Sequence, residues 1–414
     1  MKLSRTEQAL VKAFEEFEVI DAHEHLPPEQ VRTSQQVDAL TLFSHYTRTD
    51  LVTAGMRPED YDALHNTNLP LDYRWSLLKP FLENIRYGSY ARPAFIAAKE
   101  FYGFDDINDD TYRPLSEEMQ KQNTPGIYHR VLREKCRIRH ALTQGGRTDY
   151  EGDLLIPLMP MDNYAAPGNW NHIATRAHDL GERVSNLDDY ILICEKGLAK
   201  WKREGAVGIK MAARPYGAPN RAEAMSAFEG LRRGAQAQLS DMNPLRDYLV
   251  EQVLRLAGEQ ELVVAVHAGM WGDFRDLASH HMIPIFMRTP KTRFDLYHMG
   301  MPAVRTTGVI GKNQPNVWLN LAWTHVISPV MTRAALDEYI DLVPINKIIA
   351  FGGDYGKPVE KVYGHLVMAR EDIAMVLGRR VEAGLMTEAQ AIGIARKWFF
   401  DNPMELYRLH ARAC

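Results

Sequence analysis

Cysteine is scarce in this chain: Cys136, Cys194 and Cys414 are the only three in 414 residues. They are far apart and odd in number. That excludes a disulfide framework or a cysteine zinc cluster and suits reduced thiols in a cytoplasmic protein. No apolar run approaches the roughly 18 residues needed to cross a bilayer, so no membrane partner is expected. The start, Met1-Lys-Leu-Ser-Arg-Thr-Glu7, lacks the apolar core of a signal peptide. Basic blocks are missing too. The 49 Lys and Arg are mixed with 53 Asp and Glu, for a net charge of -4. This argues against nucleic acid or an anionic membrane as partner. There is no internal repeat, low-complexity tract or long flexible linker.

What is present is a large apolar fraction, 45% of the chain. Eight strand-like runs fall at residues 17–22, 138–142, 154–159, 207–211, 262–266, 292–297, 317–321 and 347–351. Several are continuously apolar, as parallel strands buried on both faces should be. Helical patterns separate most of them, at 186–204, 244–259, 332–341 and 359–383. Strands alternating with helices predict a parallel sheet, and eight of them predict an α/β barrel of the TIM, (β/α)8, type. One stretch breaks the rhythm. Residues 27–137 carry helix signals and little strand character, which predicts a helical insertion after the first strand. The barrel then comprises residues 1–26 and 138–414. An insertion leaving the C-terminal end of a barrel strand is placed to act as a lid, and residues 80–92 are its most notable part. The pattern at 392–409 predicts a closing helix, interrupted by Asp401-Asn402-Pro403 because proline cannot continue a helix.

Histidines and an aspartate stand at the C-terminal ends of these runs. They are His23 and His25, then His267, His298 and Asp354, each of the last three ending its own run. A barrel brings such strand ends to one mouth. Residues two apart in a strand share a face, so His23 and His25 aim the same way. Three imidazoles and a carboxylate, His23, His25, His267 and Asp354, suit a divalent transition metal with an open position: zinc, with manganese or iron as alternatives. Such a metal activates water, and Asp354 is placed to take its proton. His298 either ligates a second metal or acts as a general acid. Lys210 ends the fourth run and either binds a substrate carboxylate or, carboxylated, bridges two metals. Arg214 and Arg275 are candidate anion contacts. Trp323 and His325 fall at the rim after the seventh run.

On His23-Glu24-His25, His267, His298 and Asp354, in the order of strands one, five, six and eight, the chain resembles the amidohydrolase superfamily. Asp401-Asn-Pro-Met-Glu-Leu-Tyr407 resembles that family's closing segment, and the insertion is similar to that of uronate isomerases. Single-metal decarboxylases share the ligand set without so large an insertion. The resemblance implies a metal held by His23, His25, His267 and Asp354. It places His298 at the family's strand-six histidine and Lys210 at the strand-four position.

These readings point first to a metal-dependent hydrolase acting on a small, carboxylate-bearing substrate. The alternatives are a decarboxylase of an aromatic or unsaturated acid, a uronate-isomerase-like sugar-acid isomerase, or a catalytically silent barrel. The resemblance also favours association into a homo-oligomer.

Overall fold

The computed structural model describes residues 2–234 and 243–412; Cys414 lies outside the described residues. Eight strands are present: β1 (Val19–Glu24), β2 (Ile138–Thr143), β3 (Leu155–Pro160), β4 (Gly208–Ala212), β5 (Val263–His267), β6 (Phe294–Leu296), β7 (Val317–Asn320) and β8 (Ile348–Ile349). They are parallel and pair in chain order. The sheet returns on itself beyond β8. There Ala22 N–H donates to Phe351 O at 3.0 Å and Asp354 N–H donates to His23 O at 2.8 Å. The expected (β/α)8 barrel is therefore present. Every residue of β1 and β6 is buried. Strands walled by the barrel interior on one face and by helices on the other require that.

β6 and β8 are much shorter than their apolar runs, and β7 is shorter by one residue. β6 ends at Leu296 because His298 and Met299 turn to φ 63° and 52°. β8 ends at Ile349; Gly352 and Gly353 follow, and Asp354 takes φ 61°. Both breaks lie where chemistry-bearing side chains leave the sheet, and positive φ is uncommon for such residues.

Among the helices are α1 (Arg5–Glu15), α2 (Leu71–Ile85), α3 (Arg92–Tyr102), α4 (Leu187–Arg203), α5 (Asn243–Glu259), α6 (Pro329–Leu342) and α7 (Glu360–Glu382). Reciprocal capping boxes start α1 at Ser4 and α4 at Asn186. The closing segment is two helices, Glu388–Arg396 and Asn402–Leu406, joined by one irregular turn. Asn402 explains that break. Its side-chain amide donates to Ile345 O at 2.9 Å and Ile348 O at 2.7 Å, which pins the segment under β8.

Between β1 and β2 the described elements are helical. They enclose a core of their own, with Leu40, Phe43, Trp75, Leu78 and Leu115. The segment docks on α7. Gly364 permits the approach: a Cβ there would meet the Pro93 backbone at 2.6 Å. Arg32 Nη2 donates to Glu360 Oε1 at 2.8 Å, and Tyr102 Oη donates to the same oxygen at 2.5 Å.

Candidate metal centre and active-site mouth

Three side chains converge at the β1 and β8 ends. His23 Nε2 and His25 Nε2 each lie 3.2 Å from Asp354 Oδ1. One ligand atom from each of the three falls within 4.8 Å of the others. Two imidazole nitrogens and a carboxylate oxygen are a donor set for a divalent metal. Backbone contacts hold Asp354 in place. Gly353 N–H donates to Asp21 Oδ1 at 3.1 Å, and Tyr355 N–H donates to Glu24 Oε2 at 2.6 Å. His365 Nδ1 adds a bond to Gly353 O at 3.1 Å. Gly352 allows this loop to lie against β1, since a Cβ there would meet His23 N at 2.9 Å.

His267 completes the rim by another route. His298 Nδ1 lies 2.8 Å from Ala322 O, an acceptor only, so that nitrogen carries the proton. His298 Nε2 is then a lone pair, and His267 Nδ1, 3.0 Å away, donates to it. By this assignment His267 Nε2 is also a lone pair. It is buried and has no hydrogen-bond partner, and His267 lines the mouth cavity. An unpartnered imidazole lone pair beside a carboxylate fits a metal. His298 is fully buried and does not line the cavity. It orients His267 from beneath.

Burial dominates the electrostatics. It lowers His23 to about 3 and His267 to about 4, keeping both neutral as ligation requires. Burial also disfavours the Asp354 charge, but the facing His23, His25 and His298 outweigh it and hold that carboxyl well below the usual range. Lys210 Nζ sits 3.1 Å from His23 Nε2 and 3.9 Å from the Tyr297 ring centroid. Burial brings its ammonium down to about 7, against the opposing pull of Asp354 and Asp295. Behind the site, burial raises Asp21 to about 7, and burial together with Asp21 raises Glu24 well above the carboxylate range.

The mouth is a cavity of about 540 Å³ that includes His25, Lys210, Arg214, His267, Trp323 and Asp354. Arg275 is elsewhere. It is exposed and bonded to Asp273, with Nη2 to Oδ2 at 2.5 Å. His325 lies behind the wall, fully buried, with Nδ1 3.0 Å from Asp372 Oδ2 and Nε2 3.1 Å from Ala350 O.

Sequence reasoning missed His45 and Tyr46, which come from the insertion and line the same cavity. Tyr46 stacks on Trp323 at 4.4 Å between ring centroids and on Tyr90 at 5.5 Å. Ser89 Oγ donates to Ile327 O at 3.2 Å. The segment singled out at 80–92 thus reaches the barrel face through Ser89 and Tyr90. Burial raises the Tyr46 phenol well above its ordinary range, and Asp354 adds to this. Trp271, on the loop after β5, also lines the mouth while largely exposed.

Residues 212–409 match the amidohydrolase family model. Protein fluG of Emericella nidulans is 27% identical over 179 residues. That match covers 40% of this chain and spans 20% of the length of that protein. The uronate isomerase of Thermotoga maritima superposes with a TM-score of 0.80 at 16% identity, covering 98% of each chain. The glucuronate isomerase of Caulobacter crescentus gives 0.79 at 15% identity, covering 98% of this chain and 94% of its own. A candidate metal-dependent hydrolase from Lactobacillus casei gives 0.66 at 15% identity, covering 98% and 99%. The chain thus shares the (β/α)8 fold of these structures, and its resemblance to the amidohydrolase superfamily and to the uronate isomerases holds. No helix among the described residues is long and apolar enough to cross a membrane.

Proposed function

We propose that the chain is a metal-dependent sugar-acid isomerase, and that hydrolysis, the first expectation from the sequence, is the second reading. The observation that carries this is the meeting of Tyr46 and His45 with His25 and Asp354 around one cavity. Moving a proton between neighbouring carbons of one substrate benefits from a mouth walled against water, and these two insertion residues supply that wall. This gives residues 27–137 their role as a lid. The likeness to uronate isomerases, which extends over the insertion, supports the substrate class.

His23, His25, His267 and Asp354 would hold the metal, zinc before manganese or iron. When bound, the metal would supply a Lewis acid for a substrate carbonyl and hydroxyl. Arg214, exposed at the rim, presents a planar fork for the substrate carboxylate. Lys210 adds a cation deeper in the cavity. Asp354 takes a proton from the hydroxyl-bearing carbon beside the carbonyl and returns it to the former carbonyl carbon, while the proton of that hydroxyl passes to the former carbonyl oxygen, so the substrate gains and loses no atoms. Trp323 and Tyr46 pack against the sugar face. Hydrolysis is favoured by one feature: Lys210 beside His23 offers, if carboxylated, a bridge to a second metal, a two-metal arrangement suited to activating water.

Product mass separates the cases when the metal-reconstituted protein is given hexuronic acids such as glucuronate and, separately, amides and esters of small carboxylic acids. Isomerisation gives a product of unchanged mass, and in heavy water deuterium enters carbon only to the extent that the proton on Asp354 exchanges with solvent before it is returned. Asp354→Asn should lower kcat by roughly 10² or more. Fragments that together gain the mass of water would establish hydrolysis, and loss of carbon dioxide would establish decarboxylation. No turnover across a hexuronate panel would remove the isomerase reading.

A further inference from the structure

A second cavity, of about 510 Å³, opens where the insertion meets the loop after β8. Arg32, Gln35, Thr41, Ser44 and His65 line it from the insertion, and Lys357 lines it from the loop. No carboxylate is among its lining residues. Arg32 is 4% exposed. Its Nη1 donates to Asn123 Oδ1 and its Nη2 to Glu360 Oε1, while Nε has no partner. A buried guanidinium N–H without an acceptor is costly, which calls for an acceptor at this point. His65 Nε2 is a second buried nitrogen without a partner.

Charge decides the ligand class. Glu360 already matches the Arg32 charge, so Arg32 offers a directed donor. Burial lowers His65 to about 4, so its ring is neutral and adds no charge to the cavity. Lys357 is exposed, and its ammonium has no carboxylate partner among the described residues. The balance is one free positive charge, Lys357, and one unpaired guanidinium N–H, Arg32 Nε, at a cavity without a carboxylate in its lining. Oxyanions are bound by such sets.

We propose that this cavity is a second binding site, separate from the metal mouth, for a phosphate or carboxylate group. The two sites are joined through the chain. Ser44 faces this cavity while the next two residues, His45 and Tyr46, face the mouth. Lys357 lies three residues after Asp354, and Ser44 Oγ donates to Lys357 O at 3.5 Å. An anion held here braces the insertion against the loop that carries Asp354.

Calorimetric titration of the full metal-loaded chain with inorganic phosphate, and separately with malonate, tests this. Lys357 is exposed, so its replacement spares the fold. Lys357→Gln should weaken binding by roughly tenfold or more, and Lys357→Arg should restore it. Arg214→Gln should leave this binding intact. Tighter phosphate than malonate would assign a phosphate group; the reverse would assign a carboxylate. Absence of binding, or binding that Lys357→Gln leaves unchanged, overturns the proposal. Loss in both Lys357→Gln and Arg214→Gln overturns it as well, because a separate site survives a change at the mouth. None of these readouts depends on turnover, so failure here is distinct from failure of the isomerase reading.

Discussion

His298 donates to Ala322 O and accepts from His267, which leaves His267 Nε2 as a lone pair toward the mouth. Replacing it with Phe would remove the acceptor and free His267 to rotate or change tautomer. Partners of this kind change metal affinity by about ten- to a hundredfold. His298→Phe should therefore weaken metal binding by that factor in chelator competition. An affinity within about twofold of wild type would show that His267 does not depend on His298. The contrast with Arg275 shows what sequence can reveal. That His23, His25, His267 and Asp354 gather at the C-terminal end of the barrel was legible because a strand end fixes where its side chain goes; their role as ligands is the proposal made above. Arg275 sits on a loop, where Asp273, two residues away, captures its guanidinium. His45 and Tyr46 were not legible because no periodic rule says which turn of a helical insertion faces the barrel.

The strands were legible because parallel strands buried on both faces need continuous apolar runs, and all eight runs are longer than β6, the three-residue strand. Their ends were not, because left-handed residues such as His298 and Asp354 carry no apolar signal. How the insertion lies on the barrel was equally hidden. It depends on single positions such as Gly364, where α3 crosses α7. Gly364→Ala would place a methyl 2.6 Å from the Pro93 carbonyl oxygen. Neither partner is a flexible side-chain tip, so the two helices must separate. Overpacking of this kind costs about 1–3 kcal/mol. Denaturant unfolding should show that loss, and metal binding should be largely retained, because the proposed ligands belong to β1, β5 and the loop after β8. Unchanged stability would mean that the crossing is looser than the contact distance indicates.

A polar group inside the barrel links its parts and should make the protein's stability depend on pH. Asp295, on β6, is fully buried. Its Oδ2 accepts from Asn320 Nδ2 of β7 at 2.9 Å and from Tyr407 Oη of the closing segment at 2.7 Å. Tyr297 Oη donates to Ala22 O of β1 at 3.1 Å. Oδ1 has no partner. Burial raises this carboxyl from 3.8 to about 7, against the two hydrogen bonds and the Lys210 charge. A folded-state pKa above the unfolded value means that the folded protein binds the proton more tightly. The resulting stability is complete below pH 3.8 and is lost as pH rises through about 7. Asp295→Asn keeps a similar shape and an acceptor for Tyr407 but does not titrate. Wild type should therefore lose stability relative to Asp295→Asn by about 1.4 kcal/mol for each pH unit crossed within that window, and the difference should level off above it. Denaturant unfolding of both proteins across that range measures this directly. A difference that does not change with pH would mean that Lys210 keeps Asp295 ionised throughout, making the two a buried ion pair along the barrel axis.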